Sequence, residues 1–361
     1  MDSIKKLLLI VLSLSVLALS GCASIGPSSI ARDRFDYVGA IGDSWKQQML
    51  LNLVKVRYGD TPIFLDVASV INQYSLETEV NVGGQVAAED KSPDTFLGMS
   101  GQGRYTDRPT ISYTPVSGEV FARRLLRPLP PSSLLSLIEG GYPIDSMLKG
   151  CVHSVNGIRN RFQSVERSRA ADPDFYPCLE RLKRIQDAGV LSFRFQVINY
   201  EEVVLLSFRG KIEPFVQEDI NFVRKILGLD PSLSEFRVVY GSQPKDDKEI
   251  ALLTRSILDI MTDLASYIVV PAAHVEEKRV MPTILEETVE GYRFPPLIRI
   301  NSSKDKPDDA FIGIPYRNYW FWIDDRDLKS KSVFTFLMFI FLLTETEARQ
   351  GAPVMTISAG G

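Results

Sequence analysis

Histidine is scarce in this chain. Its 361 residues include two histidines, His153 and His274, and three cysteines. Catalytic zinc sites need several such ligands at short spacing, and the H-E-x-x-H pattern of metalloproteases needs two histidines four residues apart. The sequence therefore excludes a multi-histidine zinc site, and it indicates no metal and no cofactor.

A strong charge of either sign is also missing. The chain has 41 Lys and Arg against 45 Asp and Glu, a formal net charge of −4, and 45% hydrophobic residues. A chain with this balance has no general attraction to nucleic acid, so we expect no nucleic-acid partner. The composition is typical of a globular protein with a sizeable core.

Recognisable catalytic motifs are absent as well. The nearest approach to G-x-S-x-G, at residues 98 to 102, lacks the final glycine and lies in a predicted strand instead of a strand-to-helix turn. Glu201 and Glu202 are neighbours in another predicted strand, so they point to opposite faces and do not form a glycosidase pair. No catalytic residue can be named, and a non-enzymatic role is favoured while enzymatic activity stays open.

The N-terminus has a long uncharged stretch, from residue 7 to residue 31, directly after Lys5 and Lys6. Its apolar part, residues 7 to 19, is about 13 residues long, whereas a membrane-spanning helix needs about 20. A short positive segment followed by an apolar run of this length is typical of a secretory signal peptide. We assign residues 1 to 21 to that signal.

The signal ends in the sequence Leu19-Ser20-Gly21-Cys22. This resembles the lipobox of bacterial lipoproteins, in which a Leu and two small residues precede an invariable Cys. The resemblance implies that the Cys22 thiol carries diacylglycerol, that the signal is cut before it, and that the new amine is acylated. Ala23 stands where an Asp would favour the inner membrane. The expected location is therefore the outer membrane, with the body facing the periplasm.

The mature chain begins with a predicted tether over residues 22 to 38, followed by a first region over residues 39 to 165. In this region apolar residues at spacings of three and four predict an amphipathic helix that Gly59 ends. The pattern then changes to a period of two, which predicts a long β-hairpin, and short helices follow. The hairpin positions of interest are Leu76, Val80, Val82, Val86, Leu97, Met99 and Tyr105.

The hairpin permits two interpretations. Its alternating segments are about 11 and 9 residues long, and transmembrane β-strands need about 9 to 11. One interpretation is that each subunit of a ring donates a hairpin to a membrane pore in which no strand edge stays free. The other is a half-buried sheet in a water-soluble domain.

The second half of the chain predicts an α+β fold made of tandem α-β-β-α-β modules. The first module spans residues 178 to 242 and the second spans residues 248 to 361, which begins with a predicted long helix over residues 248 to 270. The polar stretch over residues 166 to 177 predicts a domain boundary.

Two cysteines remain if Cys22 is lipidated. Cys151 and Cys178 could form a disulfide in an oxidising periplasm, or they could be two separate buried thiols, because Cys151 lies in an apolar pattern. The sequence leaves both alternatives open.

Together these features predict a lipid-anchored envelope protein with a structural or assembly role, such as a ring-forming component of secretion or export. Its expected partners are the membrane, through the lipid, and envelope proteins, including further copies of itself. The alternative is an envelope hydrolase, or a glycan-binding protein that uses the aromatic residues between 316 and 322.

The lipid anchor can be tested at its thiol. We expect Cys22→Ser to abolish palmitate labelling and to release the protein from the membrane fraction, because a multiply acylated cysteine holds a protein firmly in a bilayer. Radiolabelled palmitate and envelope fractionation measure this. Unchanged labelling and fractionation would refute the anchor.

Overall fold

The computed structural model describes residues 25–71, 74–85, 96–107, 110–164, 168–198, 200–283, 287–289 and 292–343. Helices and mixed sheets alternate along these residues, which confirms the predicted α+β class.

The first described helix, α1 (Ile25–Arg57), is longer than expected. The sequence predicted a tether up to residue 38, but the helix already includes that part of the chain from Ile25 onward. Pro27 does not prevent this, because the first helical turn tolerates a residue without an N–H. The predicted end is correct: Gly59 has φ +73°, and Asp60 N donates to the Lys55 carbonyl just beyond the last turn.

The predicted hairpin and short helices follow α1. Their bounds are β1 (Leu65–Ile71), β2 (Tyr74–Gln85), β3 (Phe96–Asp107), β4 (Thr110–Pro115), α2 (Gly118–Leu125), α3 (Pro131–Glu139) and α4 (Ile144–Cys151). Pro131 occupies the first turn of α3, and Gly140 caps its end.

The next part of the chain holds the first predicted module. After β5 (Val152–Val155), β6 (Ile158–Arg159), β7 (Phe162–Gln163) and β8 (Ser168–Arg169) come α5 (Phe175–Asp187), β9 (Leu191–Ile198), β10 (Glu201–Phe208), α6 (Pro214–Leu227) and β11 (Glu235–Tyr240). The order α5-β9-β10-α6-β11 is the predicted α-β-β-α-β. Gly228 ends α6 in the left-handed conformation, with φ +66°.

The second predicted module begins differently. Residues 249 to 254 form a strand, β12 (Glu249–Thr254), and the helix that follows, α7 (Ile257–Ala265), is short. The prediction of one helix over residues 248 to 270 was wrong, because Ile250, Ala251 and Leu252 are consecutive buried residues of a central strand. Such a run cannot be distinguished from a buried helix by its period. The sequence also predicts a last strand over residues 352 to 358, and these residues lie outside the described ranges.

One six-stranded sheet unites both halves of the chain. Its order is β6-β5-β12-β11-β10-β9, with β11 and β12 parallel and the other neighbours antiparallel. Because β5 pairs with β12, the predicted boundary at residues 166 to 177 does not separate two sheets. Helices α3 to α6 cover one face, where Leu135, Leu182 and Val223 meet Leu206 and Val238 of the sheet.

The C-terminal part forms a smaller layer. Its elements are α8 (Ala272–Glu276), β13 (Glu287–Val289), β14 (Tyr292–Phe294), β15 (Asn301–Ser303), β16 (Ala310–Tyr316), β17 (Tyr319–Asp324) and α9 (Leu328–Leu343). β17 is central in the sheet β15-β17-β16, against which α1 packs. Phe334 and Leu337 of α9 are buried. No helix among the described residues is both long and apolar enough to cross a bilayer.

A buried ionic cluster joins the α4–β5 region to α7. The Arg255 side chain is fully buried and lies 3.2 Å from the Asp263 carboxylate, and it also donates to the Gly150 carbonyl at 3.1 Å. Arg161 lies 3.8 Å from the same carboxylate. One acidic side chain therefore balances two buried guanidinium groups.

We expect Asp263→Ala to lower the free energy of unfolding by about 3–5 kcal/mol, because it leaves buried charge without a partner. Urea denaturation of the lipid-free body measures this, and Asp308→Ala, at an exposed position, is the matched control. Equal stability of the two variants would show that the cluster does not hold the body together.

Candidate functional site

The most unusual element of the described chain is its hairpin. β1 pairs with β4 and β2 pairs with β3, and each pair is a separate two-stranded sheet. β2 and β3 keep one register, in which Tyr74 lies opposite Asp107. β1 and β4 shift register between Val67 and Ser69, after which Ile71 lies opposite Thr110. The two sheets follow one another along the hairpin, and β2 and β3, with 12 residues each, extend over about 40 Å at about 3.3 Å per residue. We call this element the ribbon.

The register places the predicted apolar positions together. Opposed residues of an antiparallel pair share a face, and Leu76 is opposite Tyr105, while Val82 is opposite Met99. The same face carries Val80 opposite Gly101. We call this the apolar face; its members in β2 and β3 are Leu76, Thr78, Val80, Val82, Gly84, Leu97, Met99, Gly101, Gly103 and Tyr105, with Tyr74 and Asp107 at its start. Val86 lies outside the described residues.

The alternate positions form the polar face of the ribbon. Glu77 is opposite Arg104, and Glu79 is opposite Gln102. The members of this face are Ser75, Glu77, Glu79, Asn81, Ser100, Gln102, Arg104 and Thr106, with Gly83, Gly98, Gln85 and Phe96 at the far end. Polar and apolar residues are thus segregated for most of the length of β2 and β3.

The root of the ribbon, residues 63 to 66, is fixed to α1 by two amide side chains. Asn52, which is fully buried, donates to the Ile63 carbonyl at 2.7 Å and accepts from Ile63 N at 2.9 Å. Gln48 does the same with Leu65, at 3.2 and 2.6 Å. Both backbone groups of each residue are therefore satisfied by a helix side chain.

These contacts set the direction of the ribbon. Between Ile63 and Leu65 the chain passes from Asn52 to Gln48, which is one helical turn nearer the start of α1. β1 therefore starts antiparallel to α1 and runs toward the beginning of that helix.

Packing below the ribbon strengthens the root. The Phe64 ring is buried and stacks on Phe341 of α9 with 4.6 Å between the ring centroids. The Phe64 carbonyl accepts from Val116 N at 2.9 Å, which closes the two ends of the hairpin. Arg124 of α2 forms an ion pair with Asp66 at 2.9 Å. The first residues of β1 are thus held by three helices.

Farther from the root, both α1 and the ribbon have exposed apolar side chains. Phe35 and Val38 of α1 are 78% and 65% exposed, and Tyr113 of β4 is 54% exposed. Large apolar side chains on a projecting element suggest a partner surface when they occur together.

The remaining polar clusters have structural roles. Ser256 and Asp259 form a capping box at the start of α7, and His153 Nε2 lies 3.4 Å from the Asp259 carboxylate. Burial alone would raise the pKa of Asp259, but hydrogen bonds with His153 and Ser256 outweigh it and lower that pKa to about 2. A hydrolytic triad needs the imidazole between hydroxyl and carboxylate. Here the carboxylate is in the middle, so the geometry is that of a cap.

His274 also supports the fold. Its Nδ1 lies 2.7 Å from the Tyr58 hydroxyl, just past the end of α1. Burial raises the pKa of Tyr58 to about 12, although Arg317 and Arg57 act in the opposite direction. Burial likewise lowers the pKa of His274, and nearby Arg279 adds to this. The pair joins α1 to α8 as two neutral groups.

The two cysteines are separate thiols in this structure. Cys151 and Cys178 are both buried and free. Burial raises the pKa of each thiol to about 12, with Arg255 opposing it at Cys151 and Asp174 adding to it at Cys178. Neither is a reactive thiolate at neutral pH.

The aromatic residues near position 320 belong mainly to the core. Phe321 is fully buried and contacts the Tyr58 ring edge to face at 6.0 Å, and Tyr319 meets His274 at 5.0 Å. Phe321 and Tyr319, which lie on one face of β17, are thus explained by packing within the body, without a glycan.

No group of three or more His, Cys, Asp or Glu residues in the described ranges is placed to hold a metal ion. Comparison with protein-family models, with curated proteins and with solved structures finds no match for this chain.

Sequence patterns did not identify Asn52 and Gln48. The available signal was two amides four residues apart, beside the apolar stripe of Met49 and Leu53, which is a position where a polar side chain needs a partner. Their partners are backbone groups beyond the end of the helix, and periodicity does not identify these.

We expect Asn52→Ala to cost about 1–3 kcal/mol and to loosen the root, because Ile63 N–H and C=O lose their partners. Amide hydrogen exchange at Ile63 and Leu65 measures this. Gln47→Ala changes an exposed neighbouring amide and is the control. Unchanged exchange at both amides in Asn52→Ala would show that the side chain does not hold the root.

Proposed function

We propose that the mature chain is a lipoprotein of the outer membrane, anchored through Cys22 with its body in the periplasm, and that it has a structural role. Copies of it assemble into a ring that serves secretion or export. The ribbon is the element through which the copies join.

The observation that carries this proposal is the open ribbon. An isolated two-stranded hairpin is marginally stable in water at best. Its outer edges present unpaired N–H and C=O groups that form a template for another strand, and in the described residues no third strand pairs with β2 or β3. A natural protein does not leave such an edge unprotected over this length. An identical hairpin supplies a complementary edge on each side.

Edge pairing of identical hairpins favours a closed ring. Each copy offers one outer edge from β2 and another from β3, so the contact is head-to-tail. Head-to-tail contacts give rings when the rotation closes. A ring also leaves no copy with an unpaired edge.

The body supports a structural role because its polar clusters are used in folding. Asp263 balances Arg255, and Asp259 caps α7. Asp219, which is buried, holds Arg181 at 2.5 Å and Arg184 at 2.7 Å, and so joins α5 to α6. Groups that an enzyme would present in a cleft are here engaged between elements.

A shortened hairpin tests the proposal. Because Ile71 and Thr110 are opposed, residues 72 to 109 can be replaced by Asn-Gly, which closes β1 and β4 with a two-residue turn. We expect the full-length protein in detergent to form a many-copy assembly and the shortened variant to be a monomer. Native mass spectrometry measures both.

The matched control is Val197→Ser, which alters the exposed edge strand of the body and leaves the ribbon intact; it should assemble as the natural chain does. Circular dichroism should show the body folded in all three proteins. A monomeric full-length protein, or a shortened variant that keeps the original assembly, would contradict the proposal.

A further inference from the structure

The ribbon has two faces, and edge pairing does not explain why one of them is apolar. We infer that residues 74–85 and 96–107 cross the same bilayer that receives the acyl chains of Cys22, with the apolar face against hydrocarbon and the polar face toward a water-filled pore. This inference rests on the proposed lipid anchor and ring, and it adds the partner of the apolar face.

Direction is the first argument. The bonds of Asn52 and Gln48 make the first residues of the ribbon run back along α1 toward its start. Cys22 precedes Ile25, the first residue of that helix, by three positions. The proposed lipid and the ribbon therefore leave the body on the same side, so a membrane that holds the lipid lies in the path of the ribbon.

Reach is the second argument. From Gln48 back to Ile25, α1 extends over about 23 residues, or about 35 Å at 1.5 Å each. The three residues before Ile25 can add at most about 10 Å of reach. A strand covers about 35 to 45 Å in about 11 to 14 residues. Counted from Leu65, which is bonded to Gln48, the ribbon reaches the level of Cys22 between Leu76 and Glu79, within the first half of β2.

The length of the segregated segment is the third argument. β2 and β3 have 12 residues each, and a tilted strand spans the hydrocarbon core with about 9 to 11. Tyr74 and Tyr105 lie at the end nearer the body, where membrane strands commonly carry aromatic residues at the interface. The amphipathic part of the ribbon is therefore one membrane thickness long.

The composition of the two faces decides between lipid and a protein partner. Glu77, Glu79 and Arg104 on the polar face must stay in water, since charged residues on the lipid side of a membrane strand are costly. The two tyrosines of the apolar face, Tyr74 and Tyr105, lie at the end nearer the body, and its middle consists of aliphatic residues, Met99, Gly101 and Gly103, without the aromatic and arginine anchors that protein interfaces favour. Lipid chains can cover such a face without complementary shape.

The ring and the membrane depend on each other in this arrangement. A hairpin alone cannot enter hydrocarbon, because the unpaired groups of its outer edges would each cost several kcal/mol. Pairing with the hairpins of neighbouring copies removes that cost. The polar faces then line one lumen, and the apolar faces form one continuous outer band.

Fluorescent labels at two neighbouring residues of β2, one on each face of the ribbon, test the inference. In the full-length lipidated protein, Val80→Cys and Asn81→Cys place a thiol on opposite faces one residue apart, and each is labelled with an environment-sensitive fluorophore. The native Cys151 and Cys178 are buried with strongly raised pKa values, so they stay unlabelled. The proteins are reconstituted in phosphatidylethanolamine–phosphatidylglycerol vesicles.

We expect the label at position 80 to shift to the blue and to be quenched by nitroxide-bearing lipids, with a loss of quenching by aqueous iodide. The label at position 81 should show the opposite pattern. Thr78→Cys and Glu79→Cys form a second matched pair that keeps the test intact if the first pair fails to fold.

Vesicle flotation separates this inference from the proposals it rests on. If the protein floats with vesicles while both labels stay open to iodide, the anchor stands and insertion is overturned. If the label at position 80 is shielded from iodide and also from lipid quenchers, the apolar face packs against protein instead of lipid, and insertion is overturned. If Cys22→Ser inserts and floats as the natural chain does, insertion stands and the claim that the lipid brings the ribbon to the bilayer is overturned.

Discussion

The arrangement of this protein depends on two amide side chains on one helix. Asn52 and Gln48 bind both backbone groups of Ile63 and Leu65, so the first strand of the ribbon must start beside α1 and run toward its beginning. Phe64 and the ion pair of Arg124 with Asp66 fix the same point from the other side. Direction is thus set by a few hydrogen bonds at the root. These hydrogen bonds influence the position of ribbon residues that lie tens of ångströms away.

The body provides a rigid platform for that root. The six-stranded sheet takes strands from both halves of the chain, and the smaller sheet packs on the buried half of α1. The buried Asp263, between Arg255 and Arg161, ties the α4–β5 region to α7. The carboxylates of Asp263 and Asp219 are likewise used between elements of the body.

The sequence correctly predicted the elements that have a clear hydrophobic period or a clear end signal. A period of two predicted the ribbon, with Leu76 and Tyr105 on one face, and Gly59 was correctly expected to end α1. The pattern failed where burial on both faces removes the period, as at Ile250 to Leu252, and where Pro27 resembled a linker residue but lies in a first helical turn. The root could not be predicted, since Asn52 bonds to backbone that only the tertiary fold brings near.

The proposed function follows if the lipid on Cys22 and the ribbon meet one membrane. Electron cryomicroscopy of the full-length lipidated protein in lipid nanodiscs tests that claim most directly. The account predicts a ring whose α1 helices and ribbons leave the bodies on one side and enter the same disc. Ribbons that leave the bodies on the side away from the disc would contradict it.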